Sequence, residues 1–199
     1  TDLLKAEITN AYGENPETST DFARVINEKN WKRLTQMLEH EAIIAGGKTN
    51  NKDYYIAPTL IDDPKLDSLV MKDEIFGPIL PILSYKNEKD LQDIISQYEK
   101  PLSLFIFTEN KAFAKKIIQN YSFGGGCIND TVIHFSNNRL PFGGVGHNGI
   151  GAYHGKRSFD TFSHKKPVVK KGNWLDIPIR YAPYEGKLKN LRRLLKWLS

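Results

Sequence analysis

Apolar and polar positions alternate between two periods in the middle of the chain. Apolar residues recur every three or four positions over 87–98 and 109–120, which predicts two amphipathic helices. Short apolar runs at 79–85, 102–107 and 125–129 flank and separate these helices, and they predict strands. This order of strands and helices is typical of right-handed crossovers in a doubly wound, parallel α/β sheet.

The earlier part of the chain has a less regular pattern. It predicts the end of a helix over 2–12 and an amphipathic helix over 27–41. A short apolar run at 43–45 and a polar turn at 48–53 follow, and the next apolar run predicts a strand over 54–61.

The pattern changes again after residue 130. A loop rich in Gly and Asn covers 130–151, a short helix is expected over 152–162, and a separate strand over 167–171. The segment 187–198 predicts a basic amphipathic helix. Its apolar side carries five leucines, namely Leu188, Leu191, Leu194, Leu195 and Leu198.

Composition narrows the possible classes of protein. The chain has 199 residues and a net charge of +5, and its single cysteine excludes an internal disulfide framework and a Cys-rich zinc module. No apolar run approaches the roughly 20 residues that a membrane span needs, and no group of His and carboxylates has metal-ligand spacing. A reducing, cytoplasmic setting is therefore expected.

The positive charge is concentrated in the last third of the chain. It has two interpretations: a solvated helix face, or a surface that attracts phosphate, nucleic acid or an anionic membrane. Nucleic acid is disfavoured as a partner, because the aromatic residues fall in core-like positions and not between the basic residues.

A glycine pattern in the loop matches a nucleotide-binding fingerprint by its letters alone. Gly144, Gly146 and Gly149 have the G-x-G-x-x-G spacing. No strand precedes them and no acidic residue stands about 20 positions further on to hold a ribose. These glycines are instead expected to let the backbone pass close to its neighbours.

Two short motifs remain as candidates for chemistry, each with a second interpretation. Glu74 lies beside Phe76 and a Gly-Pro turn, so the carboxylate can accept hydrogen bonds from a vicinal diol while the ring supports a flat heterocycle. The same residues also suit an ordinary helix end that packs a Phe. Tyr153 and His154 offer a titratable group near an aromatic ring, and a capped helix explains them equally well.

The only thiol is Cys127. A catalytic cysteine needs a basic or cationic partner, and His134 and His154 are the candidates close in sequence. The alternative is a packing role at the end of a short buried strand.

Motifs in a fixed order cover the chain from about residue 10 to 170. They are YGENP (12–16), RVIN (24–27), YIAPT (55–59), EIFGPILP (74–81), EKPLSL (99–104), GGCIND (125–130), LPFGGVG (140–146) and YHGKRSFDTFSH (153–164). In this order and spacing they resemble the C-terminal half of an aldehyde dehydrogenase, closest to the class 3 and fatty-aldehyde branch.

The resemblance implies oxidation of an aldehyde to a carboxylic acid with NAD or NADP. It implies that Glu74 binds the nicotinamide-ribose hydroxyls, that Phe76 packs beside them, and that Asn129, Tyr153 and His154 shape the substrate pocket. It also implies a partial doubly wound sheet of the catalytic domain, with a subunit-bridging strand at 167–171 and hence a homodimer.

The departures from the family pattern imply an incomplete site. The nucleophilic Cys and the general-base Glu of the family would precede Thr1, and Cys127 matches a structural position. We therefore expect a part of the catalytic domain (1–164), a bridging strand and tail (165–186) and the basic helix (187–199), inactive alone and self-associating. The basic helix would cover a substrate funnel or adsorb to a membrane surface. The alternative is a free-standing module with a structural or subunit-interaction role.

Overall fold

The computed structural model describes residues 1–174 and 176–198, without the side chains of Leu194 and Leu198. The chain divides into two compact units: unit 1 comprises 1–101 with 146–148, and unit 2 comprises 102–145 with 149–199. The leucine stripe predicted over 187–198 is therefore described at Leu188, Leu191 and Leu195 only.

The elements follow the alternation predicted for the middle of the chain. In chain order they are α1 (Asp2–Tyr12), α2 (Glu28–Gln36), β1 (Ile43–Ala45), β2 (Thr49–Asn50), β3 (Tyr55–Ile56), β4 (Thr59–Asp62), β5 (Ile79–Ile82), α3 (Glu88–Ile95), β6 (Ser103–Ile106), α4 (Lys111–Asn120), β7 (Gly125–Ile128), α5 (Ile133–Ser136), α6 (Gly155–Thr161) and α7 (Leu188–Leu198).

In unit 1, β4 is the central strand of a three-stranded sheet. It pairs with β1 in antiparallel and with β5 in parallel orientation, while β2 and β3 form a separate antiparallel pair. The single strand predicted over 54–61 is divided between β3 and β4, because Pro58 has no N–H to donate to a ladder. Thr59 completes the junction: its hydroxyl donates to the Ala57 carbonyl and accepts from the Gly47 amide.

The core of unit 1 lies where α2 packs against the strands. Asn27 caps the helix by accepting from the Asn30 amide at 2.9 Å, and Leu34 on its inner face is completely buried. The cluster of buried side chains comprises Leu34, Met37, Leu38, Ile56, Ile61, Val70 and Ile79.

In unit 2, the parallel pair β6 and β7 is joined by α4. Asn110 caps α4 by accepting from the amides of Ala112 and Phe113, each at 3.0 Å. The two strands approach closely at Gly126, where a Cβ would lie 2.0 Å from the Leu104 carbonyl oxygen. The glycines before Cys127 therefore allow this close pairing.

Several boundaries differ from the prediction. The helix predicted over 27–41 ends at Gln36, and the backbone beyond it reaches φ +66° at His40, which is outside the helical region. The helix predicted over 152–162 begins only at Gly155, since His154 has φ +80°.

The segment 167–171, predicted as a subunit-bridging strand, forms no strand within the single chain, and Val169 is 92% exposed. A strand requires a ladder partner, and no described residue of the chain pairs with this segment. Pairing of 167–171 with a second subunit stays a prediction. The expected doubly wound sheet is likewise described as three separate sheets, because β5 pairs with β4 whereas β6 pairs with β7.

Candidate functional site

A cavity of about 860 Å³ in unit 1 contains both candidates of the Glu-Ile-Phe-Gly-Pro motif. We call it the Glu74 cavity. Its wall is formed by Tyr12, Asp21, Phe22, Ala23, Arg24, Val25, Ile26, Asn30, Arg33, Ile56, Asp73, Glu74, Phe76, Gly77 and Pro78. The fold thus brings Glu74 and Phe76 to one concave surface, together with residues from the segment before α2.

The motif forms a loop between the short helical turn at Leu69–Met71 and β5. Phe76 has a left-handed backbone, with φ +46°, and its side chain is 78% exposed. The loop ends at Pro78, whose carbonyl accepts from the Thr59 amide at 2.8 Å, so that β5 starts in register with β4. The Phe76 ring is therefore available for contact with a ligand.

A second part of the wall is fixed by Arg24. Its guanidinium donates to Asp53 at 2.6 Å and to the Glu17 carbonyl at 2.5 Å, and it lies 4.9 Å from the centre of the Tyr55 ring. The hydrogen bond from Arg24 holds the pKa of Asp53 below its ordinary value. Arg24 thus shapes the wall through bonds to the protein.

Aromatic contacts stabilise the same region. The rings of Tyr12 and Phe22 meet edge to face at 4.9 Å, and Phe22 meets Tyr55 at 5.9 Å. Apolar and aromatic groups with an exposed carboxylate form a surface that fits a sugar face and its hydroxyls. The residues present therefore suit the ribose of a dinucleotide.

The candidates Tyr153 and His154 lie in an aromatic cluster of unit 2. Tyr153 forms a two-way backbone bridge with Phe142, at 2.9 and 3.0 Å, and its ring lies 4.3 Å from that of His154. His154 also faces Phe135, and its Nδ1 atom is buried without a hydrogen-bond partner. Tyr153 and His154 therefore share one environment.

Asn129 lies elsewhere in unit 2, directly after β7. Its side-chain amide is occupied by the backbone of Thr108, accepting from the amide at 2.7 Å and donating to the carbonyl at 3.0 Å. Asn129 lines a different cavity of about 680 Å³, together with Ile128 and residues of α4. The structure does not join it to the Tyr153 and His154 cluster.

Cys127 has one of its two candidate partners beside it. Its Sγ atom lies 3.5 Å from Nδ1 of His134, and the His134 ring packs against Phe105 and Phe142. Nε2 of His134 is buried without a hydrogen-bond partner. Cys127 on β7 and His134 on α5 thus lie side by side in the partly buried interior of unit 2.

The described part of the chain contains neither a cluster of metal ligands nor a membrane-spanning helix. Over residues 1–174 and 176–198, no three His, Cys, Asp or Glu side chains are grouped as they would be around a metal ion. No helix within those ranges has both the length and the apolar character required to cross a bilayer.

The family is decided by comparison with known proteins. A model of the aldehyde dehydrogenase family matches residues 1–168. The chain belongs to the aldehyde dehydrogenase family. The similarity to the class 3 branch is confirmed as well: rat aldehyde dehydrogenase family 3 member A2 is 48% identical over 169 residues, which are 85% of this chain and 35% of that protein.

A bacterial relative matches almost the whole chain. The 4,4'-diaponeurosporen-aldehyde dehydrogenase of Staphylococcus aureus is 44% identical over 195 residues, which are 97% of this chain and 42% of that protein. This member of the aldehyde dehydrogenase family therefore spans less than half the length of these relatives.

Solved structures show the same fold. The substrate-bound state of AldH from Staphylococcus aureus superposes with a TM-score of 0.83 and 43% identity, over 98% of this chain and 43% of that chain. A Mycobacterium tuberculosis aldehyde dehydrogenase complexed with NAD+ has a TM-score of 0.71 at 24% identity, over 88% and 38% of the two chains. The mixed α/β fold is therefore that of an aldehyde dehydrogenase.

The segment before α2 contributes residues to the Glu74 cavity that no sequence motif had marked as a site. Tyr12, Arg24 and Val25 line the Glu74 cavity and belong to the YGENP and RVIN motifs that supported the resemblance. Phe22 lies between these motifs. A signal was present in the sequence: apart from Tyr12 and Asn27, both motifs lie between the predicted helices 2–12 and 27–41.

Proposed function

We propose that the chain is the C-terminal part of an NAD(P)-dependent aldehyde dehydrogenase that oxidises an aldehyde to a carboxylic acid. The observation that carries the proposal is the common position of Glu74 and Phe76 on one cavity wall in unit 1. Two residues that the family resemblance assigned to one ribose would need such a shared surface.

In this proposal the Glu74 carboxylate accepts hydrogen bonds from the two ribose hydroxyls, and the exposed ring of Phe76 packs beside the sugar and the nicotinamide. Bound NAD or NADP supplies the acceptor of the hydride. The apolar wall made by Phe22 and Val25 excludes water from the sugar face, which strengthens the hydrogen bonds to Glu74.

The aldehyde pocket is proposed for unit 2. Tyr153 and His154 would line its mouth, and the aromatic cluster around Phe142 supports that role because it offers apolar rings with a few polar atoms. Asn129 would act from the different cavity beside α4, where its amide is already held by Thr108.

The catalytic nucleophile and the general base are proposed to belong to a segment other than this one. Cys127 would keep a packing role, so the chain alone would not oxidise aldehydes. We also propose the division into 1–164, 165–186 and 187–199, which is supported by the family match ending at residue 168. A free-standing module with a structural role is the alternative.

A titration with NADH tests the ribose contact. The 199-residue chain should bind NADH weakly, and Glu74→Gln should weaken binding about tenfold, because the neutral amide accepts one hydrogen bond fewer and carries no charge. Glu39→Gln makes the same change at an exposed position outside this cavity and should leave binding unchanged. Equal binding by all three proteins, measured by NADH fluorescence, would contradict the role of Glu74.

The basic helix supports a second proposed interaction. On α7, Trp197 is 82% exposed and Leu188 and Leu195 are more than half exposed, next to Lys189, Arg192, Arg193 and Lys196. We propose that this helix adsorbs to anionic lipid. In liposome flotation the full chain should float with vesicles of phosphatidylglycerol and phosphatidylcholine, whereas a chain ending at residue 186 should not. Equal flotation of both would instead favour a cover over the substrate funnel.

Self-association is proposed for the exposed apolar surface of unit 2, and the homodimer is its expected form. Phe107, Ile133 and Phe162 are each more than half exposed, and association that covers them would bury apolar surface. Sedimentation equilibrium at high concentration should show a dimer or larger species, and a soluble monomer would count against it.

A further inference from the structure

Two adjacent residues of α2 hold the loop that carries Glu74 and Phe76. Arg33 donates from Nη2 to the carbonyl oxygen of Ile75 at 2.6 Å, and its Nη1 atom lies 3.8 Å from Sδ of Met37. A charged donor makes this a stronger bond than one between neutral groups. The bonded carbonyl belongs to the peptide between Ile75 and Phe76, so the bond holds the backbone directly before Phe76 and one residue after Glu74.

Leu34 packs directly against the backbone of Gly77, the residue after Phe76 in the loop. It is completely buried, and a Cβ on Gly77 would lie 2.6 Å from its Cδ1 atom. The backbone at Gly77 therefore rests directly on the core of unit 1. Arg33 and Leu34 together fix the two successive peptides that flank Phe76.

Phe76 needs support from its neighbours, because its own side chain does not hold the backbone. Phe76 has φ +46°, a left-handed conformation that is unfavourable for a residue with a large side chain. Its ring is mostly exposed, so packing of the ring does not fix the backbone. The Ile75 side chain packs against the core of unit 1, and the bond from Arg33 to the Ile75 carbonyl holds the peptide that follows it.

We propose that Arg33 is a positioning residue for the coenzyme: through the Ile75 carbonyl it holds the loop in the conformation that directs Glu74 and Phe76 into the Glu74 cavity. The assignment rests on the proposed function. Arg33 also lines the cavity, so a direct contact with a coenzyme phosphate is the competing explanation.

Two variants and two ligands separate these explanations. Arg33→Met removes the donor, whereas Arg33→Lys keeps a charged N–H. The ligands are NADH and reduced nicotinamide riboside, which has the ribose but no phosphate. If Arg33 has a positioning role, Arg33→Met should lower the affinity for both ligands by the same factor, about tenfold. Arg33→Lys should keep most of the wild-type affinity.

Hydrogen exchange gives a readout on the loop itself. The amides of 75–77 should exchange faster in Arg33→Met than in the wild type, while those of α3 and β4 should not change. Arg157→Met, on α6 in unit 2, is the matched control and should alter neither exchange nor binding. A lower melting temperature without faster exchange at 75–77 would indicate a general structural role and overturn the assignment.

The remaining outcomes are also decisive. If Arg33→Met weakens the binding of NADH but not that of the riboside, Arg33 contacts phosphate and the positioning role is wrong. If Glu74→Gln weakens the binding of both ligands and Arg33→Met weakens the binding of neither, the role of Glu74 stands and only the assignment of Arg33 fails. If the wild-type chain binds neither ligand, the proposed function fails and the assignment falls with it.

Discussion

The two units differ in how much of their apolar surface they bury. Unit 1 has a continuous core of seven buried side chains between α2 and the strands. Among the described residues of unit 2, the buried hydrophobic ones are Ile106, Ala114 and Ile117, although 102–174 includes many large apolar side chains. Several of these, among them Phe107, Ile133 and Phe159, are more than half exposed.

This difference bears on how each candidate site is supported. The Glu74 cavity is packed against the core of its own unit. Two residues of that core make the contact: Ile56 lines the cavity, and Leu34 packs against Gly77 in the loop. Tyr153 and His154 depend on a cluster of rings with partial exposure. We therefore expect the ribose site to be fixed within unit 1 and the aldehyde site to need further contacts.

The largest expected effect is at Leu34. Leu34→Ala should lower the free energy of unfolding of unit 1 by about 2–5 kcal/mol, because it leaves a cavity below Gly77 where the surroundings are held by strands. The exposed Leu3→Ala is the matched control and should change it by less than about 0.5 kcal/mol. Chemical denaturation, monitored by hydrogen exchange of the α2 amides, measures the unfolding free energy of both variants. Equal effects of the two substitutions would contradict the described core.

A smaller effect is expected at the cap of α4 in unit 2. Asn110→Ala should destabilise this unit by about 1 kcal/mol, since the amides of Ala112 and Phe113 lose their acceptor. Asn120→Ala, at the other end of the same helix, should have a weaker effect. Exchange rates of the first turn of α4 give the comparison, and no change in Asn110→Ala would mean that this helix start is not capped.

The smallest effect is on the pH dependence of unit 1. Hydrogen bonds from Lys48, at 2.5 Å, and from Asn50 lower the pKa of Glu17 below its ordinary value. A carboxyl with a lowered pKa in the folded state contributes stability above its ordinary pKa and loses it as the pH falls. Thermal melts should therefore show wild-type unit 1 losing stability from roughly pH 5 to pH 3 more steeply than Glu17→Gln.

The matched control for this measurement is Glu14→Gln, on the loop after α1. Its melting temperature should fall with pH in parallel with that of the wild type. If Glu17→Gln also follows the wild-type curve, the contact with Lys48 does not contribute to acid sensitivity.

Local chemistry made much of the fold predictable. Asn87 was predicted to begin a helix, and its side chain accepts from the amides of Lys89 and Asp90. The strand over 102–107 and the helix after it were also predicted within a few residues. These features depend on neighbours in sequence, which periodicity and capping residues report directly.

The remaining features depend on contacts between distant segments. The helix α2 ends at Gln36 although the apolar period continues to Leu38, so its end depends on where the following segment runs. The Glu74 cavity needs the segment 21–26 to meet the loop at 73–78, and no local pattern encodes that meeting. The bridging strand expected at 167–171 has the same dependence, since a ladder needs a partner strand as well as the segment itself.

An NMR titration tests the central claim most directly. Amide resonances of the labelled 199-residue chain are followed while NADH is added. The account predicts shifts that are largest at 73–77 and at 22–26, with α4 and α6 unchanged, and a loss of these shifts in Glu74→Gln. Shifts confined to unit 2, or an unchanged spectrum at millimolar NADH, would contradict a ribose site in the Glu74 cavity.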